Sequence, residues 1–205
     1  MSMDTGRKIV ALGDSTTAGT PGFRSPIEAP PAGRGNPESQ YEYWMMKLHP
    51  QWMVLNRGVN GERSDQILAR FERDVTKELP EVVVILAGVN DIFQGRKPDS
   101  VERNLLTMYR RAKELRIVPV AATVLPYNIA GRREAGSIGT VNLWVEATAK
   151  EEGIPFCDTN LAVRRNDNPN LLASSPDGLH PDVDGYRKMG EALATVIQAL
   201  VPGRP

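Results

Sequence analysis

Residues 81–91 read EVVVILAGVND. After Glu81 the run to Gly88 carries three valines, an isoleucine and a leucine with no polar side chain among them. A strand with one wet face alternates apolar and polar side chains, whereas a strand covered on both faces has no reason to. Glu81–Gly88 therefore reads as an interior strand of a parallel sheet with helices on both sides, ending in the loop Ala87–Asp91.

The same texture recurs along the chain. KIVAL (Lys8–Leu12), WMVLN (Trp52–Asn56), RIVPVAATV (Arg116–Val124) and, more weakly, IPFCD (Ile154–Asp158) are short apolar runs. Between them lie segments with helical spacing. In Ser64–Leu79 the residues Ile67, Leu68, Phe71, Val75 and Leu79 gather on one face, with Ser64 placed to cap the start. Further helices are expected over Glu38–Leu48, Ser100–Leu115, Ser137–Glu152 and Asp184–Leu200. Five strands alternating with helices imply an α/β fold in which a five-stranded parallel sheet is sandwiched between helical layers. No internal repeat or low-complexity tract interrupts the pattern, and 205 residues suit one domain spanning 1–205.

Composition narrows the function classes. With 25 basic and 25 acidic residues and 40% hydrophobic content, the chain lacks the basic excess of a nucleic-acid binder. No run approaches the roughly 18 apolar residues of a membrane span, and MSMDTGRK has no signal-peptide core, so cytoplasmic residence is expected. The one cysteine, Cys157, is expected to be a buried strand-end residue rather than a reactive thiol.

Two stretches break the rhythm. Thr20–Pro37 is too rich in proline and glycine for a helix or central strand, and Leu125–Gly136 follows the fourth strand. Both leave the carboxyl edge of the sheet, where ligands bind in open α/β folds, and both are expected to wall a substrate site.

Only two histidines can serve as a base. His49 ends an amphipathic helix before Pro50, where an imidazole can interact with the last carbonyls. His180 lies before the last helix with Asp177 three residues earlier, a spacing that can fold the carboxylate against the imidazole or merely form a solvated Asx turn. At the end of the first strand, LGDSTT offers Ser15 as a helix cap or a nucleophile. Thr17 rules out the Gly-x-Ser-x-Gly motif of the larger α/β hydrolases. Gly61, after the second strand, and Asn90, after the third, could donate to an oxyanion through a backbone N–H and a side-chain amide. Each has a plainer alternative, as a turn residue and a helix cap.

Taken together, Ser15, Gly61, Asn90 and Asp177-x-x-His180, each in its block and in this order, resemble the SGNH hydrolases, also called the GDSL esterase and lipase family. The resemblance runs from Gly13 to Tyr186. It implies a flavodoxin-like three-layer α/β/α sandwich and a serine esterase needing no cofactor. It also implies Ser15 as nucleophile and first oxyanion donor, Gly61 and Asn90 as further donors, His180 as base and Asp177 as its orienting acid. Thr16 stands where the family's named motif has leucine. Asp14 is expected to be structural, bonding nearby backbone N–H groups.

Asp177, His180, Asp182 and Asp184 also suggest a metal site, but one histidine is too few for a catalytic zinc. No dinucleotide or P-loop motif is present. The expected substrate is a small-molecule ester, with short acyl groups favoured because no long apolar loop is available for a tail. The alternatives are a non-catalytic carbohydrate-binding or scaffold protein on the same fold, and a transacylase using the same triad.

Overall fold

The structure is a computed structural model and describes residues 6–200. The first strand, β1 (Lys8–Gly13), runs into a single helical turn, α1 (Ser15–Ala18). A small antiparallel pair, β2 (Phe23–Arg24) and β3 (Arg34–Gly35), follows, then a 3-10 turn at Pro37–Ser39, α2 (Tyr41–Leu48) and β4 (Met53–Gly58). Next come α3 (Ser64–Ala69), α4 (Phe71–Asp74), a 3-10 turn at Thr76–Glu78, β5 (Val82–Leu86) and α5 (Val89–Phe93). The chain continues through α6 (Pro98–Glu114), β6 (Val118–Ala122), α7 (Arg132–Glu152), β7 (Phe156–Cys157), α8 (Thr159–Val163) and α9 (Val183–Gln198).

The five main strands are parallel and ordered β4-β1-β5-β6-β7. Alternating side chains divide the apolar runs between two faces, as the pleat requires. Val10, Leu12, Val83, Ile85 and Ala121 pack under α3, α4, α6 and α7 against Ile67, Phe71, Leu105, Met108, Val141 and Val145. Ile9, Ala11, Val54, Val82, Val84 and Val120 pack under α2 and α9 against Tyr41, Met45, Tyr186, Met189, Leu193 and Ile197. This is the three-layer α/β/α sandwich expected from the runs, with the strand order of flavodoxin-like folds. The chain turns to opposite sides of β1 to make β4 and β5, which places a topological switch point between β1 and β5, where this architecture opens a crevice.

Several boundaries differ from expectation for physical reasons. The single helix expected over Ser64–Leu79 breaks at Arg70, whose φ of −99° and ψ of 7° leave the helical region. The break aims the Arg70 guanidinium inward, where it meets Glu62 and Asp74 and donates to the carbonyls of Arg57 and Gly13. Ser64 is not the cap of α3; it is the first helical residue, and Asp91 accepts both its backbone N–H (2.7 Å) and its hydroxyl (2.8 Å). Helix α7 begins at Arg132 rather than Ser137. Gly136 and Gly139 disguise its first turns, each costing about 1 kcal/mol of helix propensity.

His49 and Cys157 lie at the end of a helix and of a strand, as expected. His49 caps the end of α2 through its backbone N–H to Met45, and its ring stacks on Trp52 at 3.9 Å. Cys157 closes β7 and is buried, and that burial, with the charge of Asp158, pushes its thiol up to about 12. Among the described residues, no helix is long and apolar enough to cross a membrane.

Glu42 on α2 was not singled out by the sequence. It is fully buried, and among the described residues neither carboxyl oxygen has a hydrogen-bond partner on any other residue. Burial, opposed by its own backbone N–H, pushes its pKa well above the ordinary value. The folded protein therefore holds a proton that the unfolded chain releases above about pH 4.5. Stability falls by up to ~1.4 kcal/mol per pH unit through the window between the two pKa values. Glu42→Gln cannot titrate, so its melting temperature should rise relative to the parent between pH 5 and pH 8. A difference that stays constant over that range would contradict the buried acid.

Candidate active site at the carboxyl edge of the sheet

The carboxyl end of β1 is crowded. A Cβ on Gly13 would lie 2.5 Å from the carbonyl oxygen of Leu86 on β5 and 2.2 Å from the Thr17 hydroxyl, so only glycine fits. Asp14 then caps α1, its carboxylate accepting the Thr16 backbone N–H at 3.0 Å. Ser15 is consequently the first residue of the turn and not its cap. Burial pushes Asp14 up to about 7 against that hydrogen bond; the charge of Asp91 adds to the rise and that of Arg70 opposes it.

The Asp177–His180 loop brings a base to Ser15 from 165 residues away. One Asp177 oxygen accepts the backbone N–H groups of Leu179 (2.9 Å) and His180 (2.8 Å), which is an Asx turn. The other lies 2.7 Å from His180 Nδ1. The two readings of this loop are thus one structure: the turn is what folds the carboxylate against the imidazole. Partial burial pushes Asp177 up, but the bonds from His180 and the two backbone N–H groups outweigh it and hold the carboxyl below its ordinary value. With Nδ1–H committed to the carboxylate, His180 Nε2 is left to accept from the Ser15 hydroxyl, 2.8 Å away.

Gly61 sits in the turn after β4 with φ of +74°, a conformation that disfavours other residues. Asn90 does not cap α5; Gly88 does, and Asn90 lies in the first turn. Its amide donates to the carbonyl of Glu62 at 2.9 Å. A carboxamide has two N–H groups, so this bond fixes its orientation and leaves one donor free. Ser15, His180, Gly61 and Asn90 all line one cleft of about 200 Å³, beside the switch point.

The walls of that cleft were only partly foreseen. Tyr127, from the loop after β6, forms one side and packs edge-on against Phe93 with centroids 6.0 Å apart. Val89 and Leu179 extend the apolar surface. None of residues 20–37 lines it, so the first proline- and glycine-rich stretch is not a wall as expected. A larger cavity of about 320 Å³, between α7 and the segment around α8, is lined by Pro126 and Ala135 of the second stretch but contains none of the candidate catalytic residues. Arg70 and Asp91 were also missed; the first ties down the ends of β1 and β4, and the second fastens the Asn90 turn to the start of α3.

The acidic residues beyond His180 are otherwise engaged. Asp182 caps α9 through the Gly185 N–H, and Asp184 pairs with Arg187 and Lys188. Among the described residues no three His, Cys, Asp or Glu side chains are gathered to hold a metal ion.

A parallel sheet in this order, flanked by helices, matches the α/β fold of GDSL/SGNH hydrolase structures. The chain matches the GDSL-like Lipase/Acylhydrolase family over residues 11–188; it belongs to that family and is a carboxylic ester hydrolase. It is 25% identical to an acetylxylan esterase of Geobacillus stearothermophilus, over 94% of each chain. It is 24% identical to thioesterase 1/protease 1/lysophospholipase L1 of Escherichia coli K12, over 94% of this chain and 84% of that one. A G-D-S-L family lipolytic protein of Desulfitobacterium hafniense DCB-2 superposes with a TM-score of 0.77 at 27% identity, covering 93% of this chain and 99% of the other.

Proposed function

We propose that this protein hydrolyses short-chain, and above all acetyl, esters through Ser15, His180 and Asp177. Ser15 Oγ attacks the ester carbonyl while His180 Nε2 takes its proton. Asp177 steadies the imidazolium, and the backbone N–H groups of Ser15 and Gly61 with the Asn90 amide receive the oxyanion. Collapse of the tetrahedral intermediate breaks the bond to the alcohol oxygen, which leaves with the proton from His180. Water, deprotonated by the same imidazole, attacks the acyl-enzyme and releases the acid and the Ser15 hydroxyl.

The observation that carries this reading is the unbroken series Asp177 Oδ2, His180 Nδ1, His180 Nε2, Ser15 Oγ, with links of 2.7 and 2.8 Å, opening on the cleft that holds Gly61 and Asn90. The preference for short acyl groups is supported by the size of the cleft, below the roughly 300 Å³ at which ligand pockets usually begin. Similarity to an acetylxylan esterase points the same way.

A series of nitrophenyl esters from acetyl to decanoyl tests it, assayed with and without excess chelator. The expected kcat/KM is highest from acetyl to butyryl, falls with longer chains and is unchanged by chelation. A maximum at octanoyl or beyond would overturn the short-chain reading. Loss of activity on chelation, restored by zinc, would replace the serine mechanism with a metal-dependent one.

A further inference from the structure

The excursion at residues 20–37 does not line the cleft, yet it is tied tightly to the body of the protein. Tyr186 of α9 donates to the carbonyl of Thr20 at 2.6 Å, and the buried Ser25 hydroxyl donates to the carbonyl of Gly58, at the end of β4, at 2.6 Å. A turn starting at Ser25, whose carbonyl accepts the N–H groups of Glu28 and Ala29, then presents the Glu28 carboxylate to Asn60. Glu28 Oε1 accepts the Asn60 backbone N–H at 3.0 Å, and the Asn60 amide donates to Oε1 at 2.9 Å and to Oε2 at 2.7 Å. The opposite end of that amide, Oδ1, accepts from the Thr20 hydroxyl. Asn60 is thus held through its backbone and both ends of its side chain by one segment.

Asn60 immediately precedes Gly61, and the Asn60–Gly61 peptide carries the Gly61 N–H. Little else fixes that peptide. The turn closes through Glu62 N–H to the Val59 carbonyl at a long 3.4 Å, and nothing lies within 4 Å of where a Gly61 Cβ would be. The Asn90 amide holds only the far side of the turn, at Glu62. Three hydrogen bonds to one carboxylate, a stronger acceptor than a neutral group, converge on Asn60 from the near side, at a solvent-exposed position.

We propose that Glu28 is a positioning residue for catalysis: its carboxylate, acting through Asn60, sets the direction in which the Gly61 N–H points into the cleft. The proline- and glycine-rich excursion is then a brace for the oxyanion turn. This rests on the reading of Ser15 as nucleophile and Gly61 as oxyanion donor. A brace of this kind acts on the transition state, because a misdirected donor weakens the hold on the developing oxyanion while the ground-state ester binds much as before.

The test compares Glu28→Ala, Glu28→Gln and Ser15→Ala with the parent protein on nitrophenyl acetate, reading kcat, KM and melting temperature. It adds the affinity for a short alkyl boronic acid, whose tetrahedral adduct on serine places an oxygen where the oxyanion forms. Glu28→Ala should lower kcat by roughly 10- to 100-fold, short of the 10²- to 10³-fold for deleting a donor outright, with KM within about twofold. Boronate affinity should fall in parallel with kcat. Glu28→Gln, which keeps an acceptor oxygen for the Asn60 N–H but loses the charge and sets its NH₂ against the Asn60 amide, should recover only part of the loss. Because Asn60→Asp sets two carboxylates face to face, it should also be slow, and adding Glu28→Gln should restore it by supplying an amide donor. Wild-type kcat and boronate affinity in Glu28→Ala, with Ser15→Ala inactive, would overturn the brace and leave the nucleophile intact. Full turnover in Ser15→Ala would overturn both. A lowered melting temperature with unchanged kcat would make Glu28 a stability residue only and refute the proposal.

Discussion

Replacing His180 with alanine is expected to bring ester turnover down by on the order of 10⁵- to 10⁶-fold, the scale on which a serine hydrolase loses its base. The chain has only one other histidine, so it supplies its own control. His49 ends α2 on a ring stack with Trp52 and is absent from the cleft. His49→Ala should therefore turn over at the parental rate and lose at most about 1 kcal/mol of stability, the scale of an aromatic contact. Steady-state kinetics on the two purified variants, beside their melting curves, decide the matter. Comparable losses in both, or a loss only in His49→Ala, would remove His180 from the mechanism.

Asp177→Asn should cost roughly 10⁴-fold in kcat while the loop stays folded. The geometry gives the reason. Asp177 Oδ1 organises the turn through the N–H groups of Leu179 and His180, and Oδ2 faces His180 Nδ1. An asparagine that keeps its oxygen on the two backbone donors puts its NH₂ against Nδ1. The imidazole must then accept at Nδ1 and carry its proton on Nε2, so the nitrogen facing Ser15 is the wrong tautomer to act as a base. A merely structural aspartate predicts another outcome: the isosteric asparagine retains the turn, hence the stability and most of the rate. Measuring kcat and melting temperature on this one variant separates the two accounts.

The layers of the fold were legible because both faces of the sheet are buried. Val82 to Leu86 are all buried, and a run with no polar residue is what such a strand leaves in a sequence. Element ends were less so. Nothing local announces that the helix expected from Ser64 will break at Arg70; what breaks it is a demand from outside, the carbonyls of Gly13 and Arg57 and the carboxylates of Glu62 and Asp74. Gly136 and Gly139 concealed the start of α7 in the opposite way, as poor helix formers overridden by packing of Ile138 and Val141 into the core.

The site followed the same division. Residues whose chemistry is unusual at their position, such as Ser15 at a strand end and Asp177 three before His180, could be picked out in advance. Supporting residues could not. Glu28 is an ordinary acid in a proline-rich stretch until the fold sets it against Asn60, and Asp91 looks like a neighbour of Asn90 until it is found holding Ser64. The expected cap role of Ser64, and the plainer alternative of Asn90 as a cap, failed for a related reason. The caps of α5 and α3 are Gly88 and Arg63, because the side chains of Asn90 and Ser64 are drawn into bonds across the site with Glu62 and Asp91.

The central claim is that Ser15 is the nucleophile, and covalent labelling tests it most directly. The intact protein would be treated with a serine-directed alkyl phosphonate, weighed by mass spectrometry, digested and mapped, with residual hydrolysis of nitrophenyl acetate followed in the same samples. The account predicts one adduct per chain, located on Ser15, with activity lost in proportion to labelling and no adduct on Ser15→Ala. Label on a different serine, together with full hydrolysis by Ser15→Ala, would contradict it.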